Sequence, residues 1–173
     1  MSKGVAITGM GIISAIGNNV AENFEALIAP KKGITRVDHV ATVHRDEIMV
    51  GEIKMTNQEL IARLNLPPEN NYSRTAMLGA IAAQEAIADA GITDMAKYKT
   101  GIVSGTSVGG MDMTEKYYYE YLTEKPLQKY IESHHAGDST QKIAEQLGIE
   151  ESLVTTISTA CSSAANAIIG EKE

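Results

Sequence analysis

Residues 155–170, TTISTACSSAANAIIG, change character at their midpoint. The first part, taken back to Leu153, is apolar and β-branched and reads as a strand over 153–158. The second part is alanine-rich and reads as a helix that begins just after Cys161. The single cysteine of the chain therefore stands on a sharp strand-to-helix turn. At such a place, unpaired backbone N–H groups and the positive end of the helix dipole stabilise a thiolate. The same geometry exposes the attacking atom and leaves the nucleophile's own N–H as one oxyanion donor. A free cysteine is also a good small hydrophobe for a core. Small neighbours, Ala160, Ser162, Ser163 and Ala164, leave room for a substrate and favour the nucleophile.

Outward from this turn, apolar runs alternate with helical periods. Residues 5–13 are rich in Val and Ile and read as a strand. A helix follows in which Asn19 and Glu22 form a capping pair, Val20, Phe24, Leu27 and Ile28 share one face, and Pro30 marks the stop. From 31 to 71 no period is strong, and short strands are expected around 50–53. Residues 73–91 form a helix opened by Ser73 and closed by Gly91. Its Met77, Ala80, Ile81, Ile87 and Ala90 leave little polar surface, which places it in the middle of the molecule. A short strand at 101–104 then runs into a glycine-rich loop. Tyr117, Tyr118, Tyr119 and Tyr121 crowd onto a helix or a partner-facing surface, and Asp138 with Gln141 is expected to cap a further helix that stops at Gly148. This order predicts an α/β domain whose helices cover a mostly parallel sheet.

At 173 residues, 43% of them hydrophobic, the chain is long enough for one ordinary core and too short for two. A net charge of -7 offers no basic footprint for nucleic acid. One thiol and four scattered histidines give neither a disulfide nor a zinc spacing, so no metal and no cofactor are expected. The start resembles a secretory signal in outline, but Gly4, Thr8, Gly9, Gly11 and Ser14 interrupt its apolar run. With no apolar stretch of spanning length, a cytoplasmic protein off the membrane is expected. Gly9 and Gly11 mimic the opening of a dinucleotide fingerprint, yet the helix signal starts only at Asn18 or Asn19, too late to present its N-terminus to a pyrophosphate. Close packing of other backbone against these glycines is the better reading.

Four segments, VAITGMGIISAIGN (5–18), SRTAMLGAIAAQEAIADAG (73–91), GIVSGTSVGG (101–110) and ISTACSSAANAI (157–168), together resemble the N-terminal half of β-ketoacyl-acyl carrier protein synthases of the ketosynthase II type. The resemblance implies a thiolase-like fold: a layered αβαβα architecture of two similar halves with a mostly parallel mixed sheet, usually a homodimer. Residues 1–173 would be the N-terminal half-domain alone. It also implies that Cys161 takes an acyl group from acyl carrier protein as a thioester, with its backbone N–H as an oxyanion donor. The carbanion released from malonyl-acyl carrier protein then attacks that thioester to give a 3-oxoacyl product for fatty-acid or polyketide synthesis. In the family, two active-site histidines and a lysine lie in the C-terminal half. His39, His44, His134 and His135 do not match those positions and read as surface residues, so the isolated chain is expected not to turn over. A thiolase-type coenzyme A acyltransferase and a non-catalytic, ketosynthase-like partner subunit are the alternatives. The resemblance also places the tyrosine-rich stretch toward the dimer contact.

Overall fold

The computed structural model describes residues 4–149 and 153–170. Its seven α-helices among these residues are α1 (Val20–Ile28), α2 (Asn57–Arg63), α3 (Arg74–Asp89), α4 (Met111–Tyr121), α5 (Gln128–Ile131), α6 (Ala136–Leu147) and α7 (Ser163–Gly170). The strands are β1 (Thr35–Arg36), β2 (Met49–Val50), β3 (Ile102–Gly105) and β4 (Val154–Ile157). Two short sheets result: β1 pairs antiparallel with β2, and β3 pairs in parallel with β4.

α3 is the post around which the rest packs. The Ser73 hydroxyl accepts from the Ala76 N–H at 3.2 Å, and the chain leaves the helix through Gly91 at φ +69°. Alanine favours the helix and keeps the surface of α3 shallow, so neighbouring backbone approaches closely. Ala76, Met77, Ala80 and Ile81 are buried, and with Leu60 and Leu64 from α2 and Tyr72 they form the core. Ile87 and Ala90, expected on the same apolar surface, are only half-buried. α6 packs across α3, and both α6 and α7 pack against the β3–β4 pair. The order of elements around a parallel pair is the α/β arrangement that the alternating periods predict.

Residues 5–13 depart from expectation, because they form no strand ladder. Their neighbour is a helix. The N–H groups of Met10 and Ile12 donate to the carboxylates of Asp89 and Glu85, each at 2.9 Å. Bonding every second amide to acids one turn apart on α3 requires the extended backbone that Val and Ile prefer. No strand lies beside it among the described residues, and Val5 and Ile7 are exposed. Gly9 and Gly11 explain the closeness, since a Cβ at either would overlap a carbonyl oxygen of α3, that of Ala86 or Ala82. Close backbone packing is thus what these glycines serve.

α1 corrects a second expectation. Its cap is as read: the Asn19 side chain accepts from the Glu22 N–H at 2.9 Å, while Glu22 accepts from the Asn18 N–H at 2.7 Å. The face is reversed, with Asn23 and Ala26 buried and Phe24, Leu27 and Ile28 exposed. Asn23 is held inward because its amide donates to the carbonyls of Gly17 at 2.9 Å and Asn19 at 2.8 Å.

Two further local readings change. The strand expected around 50–53 is Met49–Val50, paired with Thr35–Arg36, and the weakly periodic stretch after it holds α2, opened by a reciprocal capping box between Thr56 and Glu59. α6 begins at Ala136, so Asp138 lies in its first turn and does not cap it. Burial pushes the Asp138 carboxyl up, and its Oδ2 is buried with no hydrogen-bond partner among the described residues. Gly148, at φ +66°, ends the helix as expected.

Glu52 is buried beside β2 and gathers the amides of Asp38 (2.9 Å), His39 (2.9 Å) and Val40 (2.6 Å). Burial alone would raise its pKa, but these three N–H donors outweigh that and hold the carboxyl below its ordinary value. A depressed folded value means that the stabilisation is complete above the ordinary glutamate range and is lost as pH falls through the depressed value. Urea titrations of wild type and Glu52→Gln are therefore expected to differ at neutral pH and to converge in acid. A gap that persists unchanged into acid contradicts this account. In the core, Leu60→Ala is expected to cost about 2–5 kcal/mol in the same titration.

Candidate active site

The parallel pairing of β3 and β4 sets the site. Their register runs from Ile102 opposite Val154 to Gly105 opposite Ile157, so the loop after β3 leaves beside the turn after β4. That turn is a single 3-10 turn, Ala160–Ser162, followed at once by α7. Cys161 is the middle residue of the turn, and it is exposed. The expected strand over 153–158 is present as Val154–Ile157, and the helix starts two residues past the cysteine. β3 itself is shifted one residue from its expected place. The start of α7 sits directly on the end of β3: a Cβ at Gly105 would lie 2.5 Å from both N and Cα of Ala164.

Ala160 occupies the left-handed region at φ +52°, which costs an L-residue about 1–2 kcal/mol. Hydroxyl groups hold it there. Its carbonyl oxygen accepts from the Ser163 hydroxyl at 2.7 Å and from the Ser107 hydroxyl at 2.9 Å. Ser163, buried at the head of α7, also accepts from the Thr159 N–H at 2.9 Å. The Thr159 carbonyl takes the Ser162 hydroxyl at 2.8 Å, and its own hydroxyl oxygen accepts from the Asn166 amide at 2.9 Å. The thiol is thus left open while the backbone on both sides of it is fixed.

Two cavities share Arg74 and Asp112 in their walls. One of about 430 Å³ is lined by Thr106, Val108 and Gly109 of the glycine-rich loop, by Met111 at the start of α4 and by Thr75 and Leu78 of α3. Its walls flank Ser107, so it lies on the loop that reaches the cysteine turn. The larger, about 640 Å³, is lined by residues such as Asp38, His39, Asn57, Arg74, Asp112 and Glu115, none of which bonds to the turn. Arg74 is a strut there: its guanidinium donates to Asn57 Oδ1 (2.8 Å) and to the carbonyls of Met55 (2.8 Å) and Ile53 (3.1 Å), and Asp112 accepts from its backbone N–H (3.0 Å). Size therefore does not mark the candidate chemistry; the locked turn does.

The four histidines lie on the surface, as their loop-like surroundings suggested. His44 pairs with Glu47 at 2.8 Å, and His134 meets the Thr114 hydroxyl at 3.2 Å. None joins the hydrogen bonds around Cys161 among the described residues. The tyrosines divide: Tyr117 stacks on Tyr130 with ring centres 4.3 Å apart, whereas Tyr119 is exposed. Ser107 was not legible as a site residue, because a serine in a glycine-rich loop looks like loop composition. The available signal was the parallel pairing of its strand with the cysteine strand, which brings position 107 level with 159.

Residues 2–170 match the family model described as "Beta-ketoacyl synthase, N-terminal domain". The chain belongs to the β-ketoacyl synthase family. Its relatives include the 3-oxoacyl-[acyl-carrier-protein] synthase 2 of Staphylococcus aureus strain N315, 27% identical over 172 residues, which cover 96% of this chain and 41% of that protein. The synthase 2 of Vibrio cholerae is 26% identical over 162 residues, covering 91% of this chain and 38% of that one. The chain thus spans about two fifths of the length of these curated relatives. Among solved structures, the ishigamide ketosynthase/chain length factor superposes with a TM-score of 0.76 at 24% identity, over 95% of this chain and 44% of that one. A β-ketoacyl synthase from Burkholderia phymatum STM815 gives 0.64 at 21%, over 95% and 41%. The fold of this β-ketoacyl synthase chain is thiolase-like.

The buried Ser163 hydroxyl bridges an amide and a carbonyl within the turn, and its removal leaves the Thr159 N–H without that acceptor. Ser163→Ala is expected to cost about 1–3 kcal/mol in a urea titration. A loss below about 0.5 kcal/mol argues against this bridge as a support of the turn.

Proposed function

We propose that this chain is the nucleophile-bearing N-terminal half of a 3-oxoacyl-acyl carrier protein synthase, and that Cys161 accepts the acyl group. The observation that carries the reading is an exposed thiol at the head of α7 on a backbone held by side-chain hydroxyls. In the acyl-transfer step, the Cys161 thiol gives its proton to water, its sulfur attacks the thioester carbonyl carbon and the carbonyl electron pair moves onto oxygen. The Cys161 N–H, one of the donors at the turn, faces that developing charge. Collapse re-forms the carbonyl and breaks the bond to the carrier's sulfur, which leaves as a thiolate and takes a proton from water. Acyl carrier protein is the donor in this reading because the curated relatives are named for it.

Condensation is a separate matter. Decarboxylation of a malonyl group puts negative charge on an enolate, which needs its own donors. The four histidines of this chain are exposed, and none joins the hydrogen bonds around Cys161 among the described residues. The 173 residues alone are therefore expected to be acylated but not to condense. The same observation favours a second reading, a non-catalytic partner subunit of the same fold, in which Cys161 would not be acylated. Homodimerisation, with the exposed Tyr118 and Tyr119 toward the partner, and a cytoplasmic location complete the proposal. No helix among the described residues is long and apolar enough to cross a membrane.

Incubation with octanoyl-acyl carrier protein, followed by intact-mass measurement and peptide mapping, tests the assignment. An octanoyl adduct on Cys161, absent in Cys161→Ala, is expected, with no 3-oxoacyl product after malonyl-acyl carrier protein is added. Acylation by octanoyl-coenzyme A but not by the carrier protein would replace this reading with a thiolase-type acyltransferase. No adduct from either donor would favour the partner subunit.

A further inference from the structure

The Ser107 hydroxyl crosses 53 residues of sequence to reach the carbonyl oxygen of Ala160, the residue before the nucleophile. That oxygen belongs to the same peptide unit as the Cys161 N–H. A peptide unit is planar, and in its trans form the C=O and N–H point in opposite directions. No cis peptide bond is present among the described residues. Two hydroxyls on the oxygen, Ser107 at 2.9 Å and Ser163 at 2.7 Å, together with the backbone N–H of Ser163, thus fix where the Cys161 N–H points: away from the serines. Hydrogen bonds accepted by a carbonyl also polarise the amide behind it and make its N–H a stronger donor. The left-handed Ala160 gives this grip a purpose, because an alanine at φ +52° relaxes out of that conformation unless something holds it.

We propose that Ser107 is a positioning residue of the oxyanion site: it grips the Ala160–Cys161 peptide from the loop after β3, and so aims and strengthens the Cys161 N–H. Ser163 supplies the second grip from within the turn, but it is buried and also serves the Thr159 amide, so its loss is a loss of structure as well. Ser107 is exposed, and among the described residues its hydroxyl otherwise meets only that of Ser163, at 3.4 Å. The inference deepens the reading of Cys161 as acyl acceptor and rests on it. It adds a requirement that the thiol alone does not impose: acyl transfer, which passes through a tetrahedral oxyanion, depends on Ser107, and alkylation, which forms no oxyanion, does not.

The test compares Ser107→Ala and Ser107→Thr with wild type in three measurements: acylation of Cys161 by octanoyl-acyl carrier protein, alkylation of Cys161 by iodoacetamide, and the amide resonance of Cys161 in a proton–nitrogen spectrum. Ser107→Ala is expected to slow acylation about tenfold, less than the hundredfold or more lost when a direct oxyanion donor is removed. Alkylation should stay within about twofold, and the Cys161 amide proton should move upfield as its peptide loses polarisation. Ser107→Thr, which keeps the hydroxyl, should restore acylation and the resonance. Unchanged acylation, or acylation and alkylation falling together, overturns the proposal. If wild type takes no acyl group, it is the assignment of Cys161 as acyl acceptor that fails. The amide resonance then decides the grip by itself: an upfield shift in Ser107→Ala upholds it, and an unmoved resonance overturns it.

Discussion

An L-residue in the left-handed region stays there only when its surroundings hold it, and in this chain that residue is Ala160. Its carbonyl is fixed from two directions, by Ser163 one turn ahead and by Ser107 from another part of the chain. Much of the architecture bears on that second contact. Parallel pairing of β3 with β4 brings the two loops side by side, and Gly105 lets α7 descend onto the end of β3. α6 and α7 cover the strand pair, and α3 carries α6. Ligands in α/β folds bind beyond the carboxyl ends of parallel strands for this reason: that is where loops from neighbouring strands meet.

The energetics are uneven across the molecule. Leu60, Leu64, Met77 and the alanines of α3 form one tight cluster, and each large side chain there contributes about 1.5–3 kcal/mol by leaving water. Elsewhere large apolar side chains stay wet: Phe24, Leu27 and Ile28 on α1, and Val5, Ile7 and Met10 ahead of it. The segment before α1 is instead held by polar contacts, with Glu85 and Asp89 of α3 accepting its amides. A carboxylate satisfies an amide as a neighbouring strand would, but without the cross-strand side-chain contacts that make a sheet stable. That explains how a strand-like sequence lies extended without becoming a strand.

Legibility in the sequence follows the range of the interaction. Caps are local, so Asn19, Ser73, Gly91 and Gly148 could be read from their neighbours. The turn at Cys161 was legible for the same reason, since a β-branched run meets an alanine-rich one within a few residues. Apolar period shows that a helix has two faces, but not which face the core uses. On α1 the amide of Asn23 decided that, through carbonyls at positions 17 and 19. Asp138 looked like a cap because its spacing to Gln141 fits one, yet the helix starts two residues earlier. Ser107 was the least legible of all, because its partner is set by strand pairing and not by sequence distance.

The chemistry divides along the same line. Acyl transfer to a cysteine asks for an exposed sulfur and a donor at the developing oxyanion. In the reading proposed for Cys161, a turn between one strand and one helix supplies both within a few residues, and one further loop steadies it. Stabilising an enolate asks for donors on the far side of the bound acyl group, where a sulfur at a helix head cannot reach. In the proposed reading the condensation step therefore draws on elements other than this turn. His39, His44, His134 and His135 are exposed, and among the described residues none joins the hydrogen bonds of the turn, in keeping with that division.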